Sequence, residues 1–256
     1  MRRVNAERAV LFGWSRAILL QIAHPLIAAG VYDHSGFRAS PIAAIARLHH
    51  TVAAMLALTF GDPAERQRTI DGIRAIHRRV QGSLPVDAGT FRAGAPYSAE
   101  DPELVLWVHV TLLESVPLIY EMLVGPLTDD ERNQYCAEAA QVAIDLGARD
   151  SRVPRTWAAA RAHAETMYAS GILAVTPQAR EVARALLAPR FASFVAPAAW
   201  VNRLLTVGLL PPSVRAQYGF AWGVGYQRAW QTTVHTLRFA RRCAPQMVAR
   251  WPQARG

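Results

Sequence analysis

The sequence predicts an all-α domain, on three observations. Sustained period-two alternation of apolar and polar residues is absent, so strands have no support. β-Branched residues are scattered among strong helix formers. An apolar share of 52%, drawn largely from Ala, Leu and Val, stands against a charged share of 18%, which suits a well-buried helical chain and not a disordered one. Residues 1–256 contain no linker-like stretch, so they read as a single globular multi-helix domain.

The first helix is expected from about Asn5 to Ala23. Pro25 then suits the first turn of a short second helix and biases His24 away from helical angles, so the chain turns at His24. A loop through Asp33, His34, Ser35 and Gly36 leads to a helix from Pro41 to Phe60, closed by Gly61-Asp62-Pro63. Asp62 caps the next helix, which is expected to reach Val80. The stretch from Gln81 to Ser98 is polar and glycine-bearing and reads as the longest loop. After Asp101-Pro102, the helix from Glu103 to Val124 is apolar almost all round, the mark of a central buried element, and Pro117 should kink it. Later helices read as Asp129 to Leu146, Arg155 to Ser170, Pro177 to Leu187, Ala196 to Leu205, Pro212 to Gln217 and Tyr226 to Cys243.

All 28 basic residues in the Lys+Arg count are arginines, and the absence of lysine excludes Schiff-base chemistry. The arginines behind the net charge of +9 are spread along the chain and mostly interleaved with Ala and Glu, as on solvated helix faces, so no nucleic-acid partner is expected. Cys136 and Cys243 form neither a CxxC nor a disulfide framework. Both are expected as packing residues, in a cytoplasmic protein. The apolar N-terminal run is interrupted by Arg16, Gln21, His24 and Pro25, which suits a buried helix better than an anchor or a signal peptide.

Three constellations could carry chemistry. His109 has Val105, Leu106, Leu112 and Leu113 as its helical neighbours, so its imidazole needs a hydrogen-bond partner or a metal; it is a core histidine or an iron ligand. Arg47, His50 and Thr51 share one helix face and suit carboxylate binding or the distal side of a haem pocket, or else a solvated polar face. His24, Asp33 and His34 flank the short second helix, either as the edge of a site or as turn and capping residues. His77, near a helix end where a positive imidazole is favourable, suits a structural role and is otherwise a further site candidate. HExxH, the di-iron ExxH pair, paired CxxC, CxxCH, GxSxG and Walker A are all missing, as is a complete GxGxxG. Any haem would therefore be held without covalent attachment.

The segments IAHPLIAAGVYDHS, RLHHT, LTFGD, IHRRVQG, YSAEDPELVLWVHVTLLES and GLLPPSVRAQYGFAW, with a closing WPQAR, together resemble the superfamily of the rubber oxygenase (latex-clearing protein) and mycophenolic-acid pathway oxygenase catalytic domain. The resemblance implies a helical fold with a b-type haem pocket between helices. It implies a proximal histidine, which falls on His109 in WVHVTL, and dioxygen chemistry on a hydrophobic, unsaturated or terpenoid-like substrate. The RxxKT pattern of the rubber-cleaving branch falls on Arg47, His50 and Thr51, with histidine where that branch has lysine. Polyisoprene cleavage does not carry over on that pattern. His50 either supplies a sixth ligand or leaves the distal position open, and His24 and His34 stand as candidate cofactor-binding residues.

Two other roles compete with the oxygenase. One is a haem-binding or sensing protein without turnover, its axial positions filled by His109 and His50. The other is a peripheral membrane contact through RAWQTTVHTLRFARR, where Trp230, Thr233, Val234 and Leu237 form an apolar stripe beside Arg238, Arg241 and Arg242; such a stripe can equally be core.

Overall fold

The computed structural model describes residues 1–34, 41–187 and 196–255, without the side chains at 41–48, 196 and 255. Helices dominate the described residues: α1 (Arg2–Asn5), α2 (Leu11–Ile22), α3 (Pro25–His34), α4 (Pro41–Phe60), α5 (Pro63–His77), α6 (Pro102–Leu123), α7 (Asp129–Asp145), α8 (Trp157–Ala169), α9 (Pro177–Leu187), α10 (Ala196–Leu209), α11 (Pro212–Gln217), α12 (Val224–Cys243) and α13 (Gln246–Ala249). The fold is all-α.

Several boundaries follow from local chemistry. Asp62 accepts a hydrogen bond from the Glu65 amide at 2.7 Å, and Asp101 one from the Glu103 amide at 2.8 Å, each with proline opening its helix. Thr128 and Glu131 form a reciprocal capping box at the start of α7. Where the chain turns at His24, the helical segments on either side bend by 109°.

The structure corrects three expectations. The first helix is broken: Glu7 is extended, a short 3-10 turn covers Arg8–Val10, and α2 begins only at Leu11. The cause is tertiary, because Glu7 pairs as a bridge with Arg250 and its carboxylate is wholly buried against two arginines. The loop from Gln81 to Ser98 holds a two-stranded antiparallel ladder, β1 (Gln81–Ser83) with β2 (Pro96–Ser98). Three-residue strands leave too little alternation to read in advance. Finally, Cys136 is buried but Cys243 is exposed at the end of α12, so only the former is a packing residue.

α6 is the central element. It packs most closely on α2, with η-turn Arg8–Val10, α7, α8 and α12 around it. By length and composition it could cross a membrane, yet 78% of its most apolar window is buried inside the fold. Trp107 is 1% exposed, and its indole N–H donates to the Leu20 carbonyl at 3.1 Å, tying α6 to the end of α2. Gly13 permits the close crossing: a Cβ there would lie 2.7 Å from the Ser115 carbonyl oxygen, a backbone atom. Gly13→Ala should therefore destabilise the domain by about 1–3 kcal/mol through overpacking, read as a lowered urea midpoint with an unchanged slope.

Candidate functional site

His109 lies in the middle of α6, 8% exposed, and its Nε2 is buried without a hydrogen-bond partner among the described residues. Burial alone pushes its pKa down to about 4, so the ring is neutral at ordinary pH and keeps a nitrogen lone pair. An orphaned buried polar atom costs about 1–3 kcal/mol unless something outside the described protein atoms satisfies it. The donor chemistry fits an iron. His109 lines neither the surface cleft of Asp150, Arg152 and His163 nor that of Gly82, Tyr97 and Asp101.

The other predicted residues are not gathered around His109. His50 and Thr51 are exposed on α4, and the Arg47 side chain lies outside the described residues. α4 packs chiefly on α5 and α1, and α6 is not among its principal neighbours. The imidazole on α4's neighbour is His77, whose Nδ1 is buried and unpartnered. Burial lowers its pKa, partly opposed by Glu100, which contradicts the expectation of a positive helix-end imidazole.

His24 and His34 sit at the two ends of α3. His24 is buried; its Nδ1 accepts from the Leu26 amide at 3.3 Å, and its ring rests on Phe91 with centroids 5.3 Å apart. Desolvation, only partly offset by Asp101, lowers its pKa to about 4. Asp33 accepts from the Tyr97 hydroxyl at 2.6 Å, and His34 Nε2 lies 3.2 Å from the Gln81 carbonyl. Asp33 and His34 thus fasten the strand pair to α3.

One buried polar constellation was missed. Arg16 on α2 donates to Glu114 at 3.2 Å, to Ser115 Oγ at 2.7 Å and to the Leu209 carbonyl at 2.8 Å, while the Tyr168 hydroxyl donates to the same Glu114 carboxylate. Its signals were present: Arg16 interrupts an apolar run, and Glu114 stands in an apolar helix. No local pattern joins the two, because 98 residues separate them.

With the geometry established, comparison with known families finds one match. The family model described as "ER-bound oxygenase mpaB/B'/Rubber oxygenase, catalytic domain" matches residues 1–239. The chain belongs to this family. Membership supports an oxidoreductase of the oxygenase type, using dioxygen and a small-molecule substrate. No curated protein and no solved structure matches.

Two outcomes are expected. Glu114→Ala leaves the Arg16 guanidinium buried without its counter-charge and should destabilise the fold by about 3–5 kcal/mol, measured by chemical denaturation. His24 is neutral when folded but protonates near 6.5 when unfolded. Its contribution is therefore complete above pH 6.5 and lost as pH falls to about 4. A His24→Gln variant should lose stability less steeply over that window than the parent does.

Proposed function

We propose that this oxygenase is haem-dependent, binding haem b non-covalently and acting on a hydrophobic, unsaturated or terpenoid-like substrate, with His109 as the iron ligand. The observation that carries the reading is the unpartnered Nε2 of a buried, neutral imidazole on the central helix of an oxygenase-family domain. Bound haem supplies the iron at which dioxygen is activated. The protein's share is more modest. Val105, Leu106 and Leu113, all buried, keep water from the imidazole, and burial keeps the proton off the ligating nitrogen. Arg47 and Thr51, a turn apart on α4, would hold a haem propionate or a polarised oxygen, and His50 would stand on the distal side. These roles require α4 to face the haem.

A second assignment of the ligand rests on a specific observation. His77 also has an unpartnered buried nitrogen, and its helix lies directly against α4, which bears His50 and Thr51. His77 would thus put the iron beside the residues expected on the distal face. The two assignments share cofactor and reaction class and differ only in the helix that holds the iron.

The test is an ultraviolet–visible spectrum of the purified protein reconstituted with haem. A sharp Soret band abolished in His109→Ala and retained in His77→Ala is the expected result; the reverse pattern moves the ligand to α5. Failure of the parent to hold haem sinks both assignments. Rapid carbon monoxide binding by the ferrous form is expected for oxygen chemistry, and a six-coordinate haem that ignores carbon monoxide contradicts it.

A further inference from the structure

The net charge of +9 is distributed unevenly. No acidic residue follows Glu181, whereas ten arginines do. Residues 182–256 thus carry +10, and residues 1–181, with the remaining 18 arginines and all 19 acidic residues, carry −1. The domain's whole positive excess belongs to its C-terminal segment. Exposed large apolar side chains concentrate there too: Phe239 is 69% exposed, Met247 70% and Val248 61%, with Val224 and Tyr226 also exposed at the start of α12.

The structure shows which face is available. The stripe Trp230, Thr233, Val234 and Leu237, considered above for membrane contact, is half-buried, and α12 packs on α10 and α6. A Cβ on Gly208 of α10 would lie 2.4 Å from the Trp230 ring, so Trp230 points inward. The stripe is core. At 100° per residue the opposite face of α12 aligns Arg228, His235, Phe239 and Arg242 in one sector, and all four are exposed. Arg241, on the inner side, is already neutralised by Glu7 at 2.6–2.7 Å, whereas no described carboxylate pairs with Arg228 or Arg242.

This face is also held in place. Glu7 accepts from both Arg241 and Arg250; the Trp251 amide donates to the Ala6 carbonyl at 3.0 Å; and Arg8 lies over the Trp251 ring. Phe239, Met247 and Val248 are therefore presented by a segment clamped to the N-terminus and not by a frayed tail.

We infer that the outward face of α12, with Phe239, Met247 and Val248, docks on an anionic lipid bilayer. Arginines unbalanced by acids are attracted to anionic headgroups, and apolar side chains beside them enter the headgroup–acyl boundary. A nucleic acid would satisfy the arginines but would leave the three apolar side chains in water, so the bilayer is the better complement. The reading is independent of the haem and of its ligand.

The experiment is co-sedimentation of the full chain with phosphatidylcholine vesicles, with and without phosphatidylglycerol, at low salt. Binding only to the anionic vesicles is expected. Each arginine should contribute about fivefold, so Arg228→Gln with Arg242→Gln should weaken binding by tenfold or more. Phe239→Ser with Val248→Ser should weaken binding that survives moderate salt. Unchanged circular dichroism and thermal midpoint in these surface variants would separate lost docking from lost folding. Absence of binding at low salt, equal binding to neutral vesicles, variants that bind like the parent, or displacement from the vesicles by a single-stranded oligonucleotide would each overturn the inference.

Discussion

The crossing of α2 over α6 is the constraint on which the remainder of the fold depends. It combines a glycine that lets two backbones approach, an apolar seam, and one ion pair inside that seam. Gly13 sits against the Ser115 carbonyl, and Arg16, one turn on, reaches both Glu114 and Ser115. Two charges removed from water are tolerated only when their remaining donors and acceptors are occupied. Ser115, the Leu209 carbonyl and Tyr168 do that, recruiting α10 and α8 to the same point. A purely apolar seam could slide by a turn; a buried pair with three further partners sets the register.

The position of His109 follows from that register. Trp107, bonded to the Leu20 carbonyl, and Glu114, bonded to Arg16, fix the rotation of α6 on either side of it. The imidazole is thereby held in a buried position that pushes its pKa down and gives its Nε2 no partner among the described residues. A core histidine with its own hydrogen bond would close the question. His24 illustrates that case, with a backbone amide donating to its ring. The contrast between two buried imidazoles, one with a partner and one without among the described residues, is what singles out His109 as the candidate ligand.

A second constraint joins the ends of the chain. Glu7 breaks the first helix so that its carboxylate can meet Arg241 and Arg250. Burial alone would raise its pKa, but the hydrogen bonds and charges of the two arginines hold it below the ordinary carboxylate value. Arg241 and Arg250 lie beyond the family match, which ends at residue 239. This clamp fixes the segment that carries the positive excess and leaves α12 with two unlike faces, one against α6 and α10 and one toward solvent.

By itself the sequence determined the fold class, most helix limits, the turn at His24 and the central place of α6. Each of these depends on neighbours in the chain: a proline restricts the residue before it, Asp62 or Asp101 caps the next turn, and an apolar helix without a polar face must be interior. It also made His109 legible as a polar group on an apolar face. Tertiary structure decided the rest. That Asp33 meets Tyr97, 64 residues away, was not legible in the local pattern. Which helix faces RLHHT depended on how α4 packs, and periodicity does not encode that. Arg16 with Glu114, and Glu7 with Arg241 and Arg250, are pairs between residues far apart in the chain, and each charge alone reads as an exception. Local pattern sets what a segment becomes; only packing sets what it meets, because the free energy of a buried charge belongs to the pair and not to either residue.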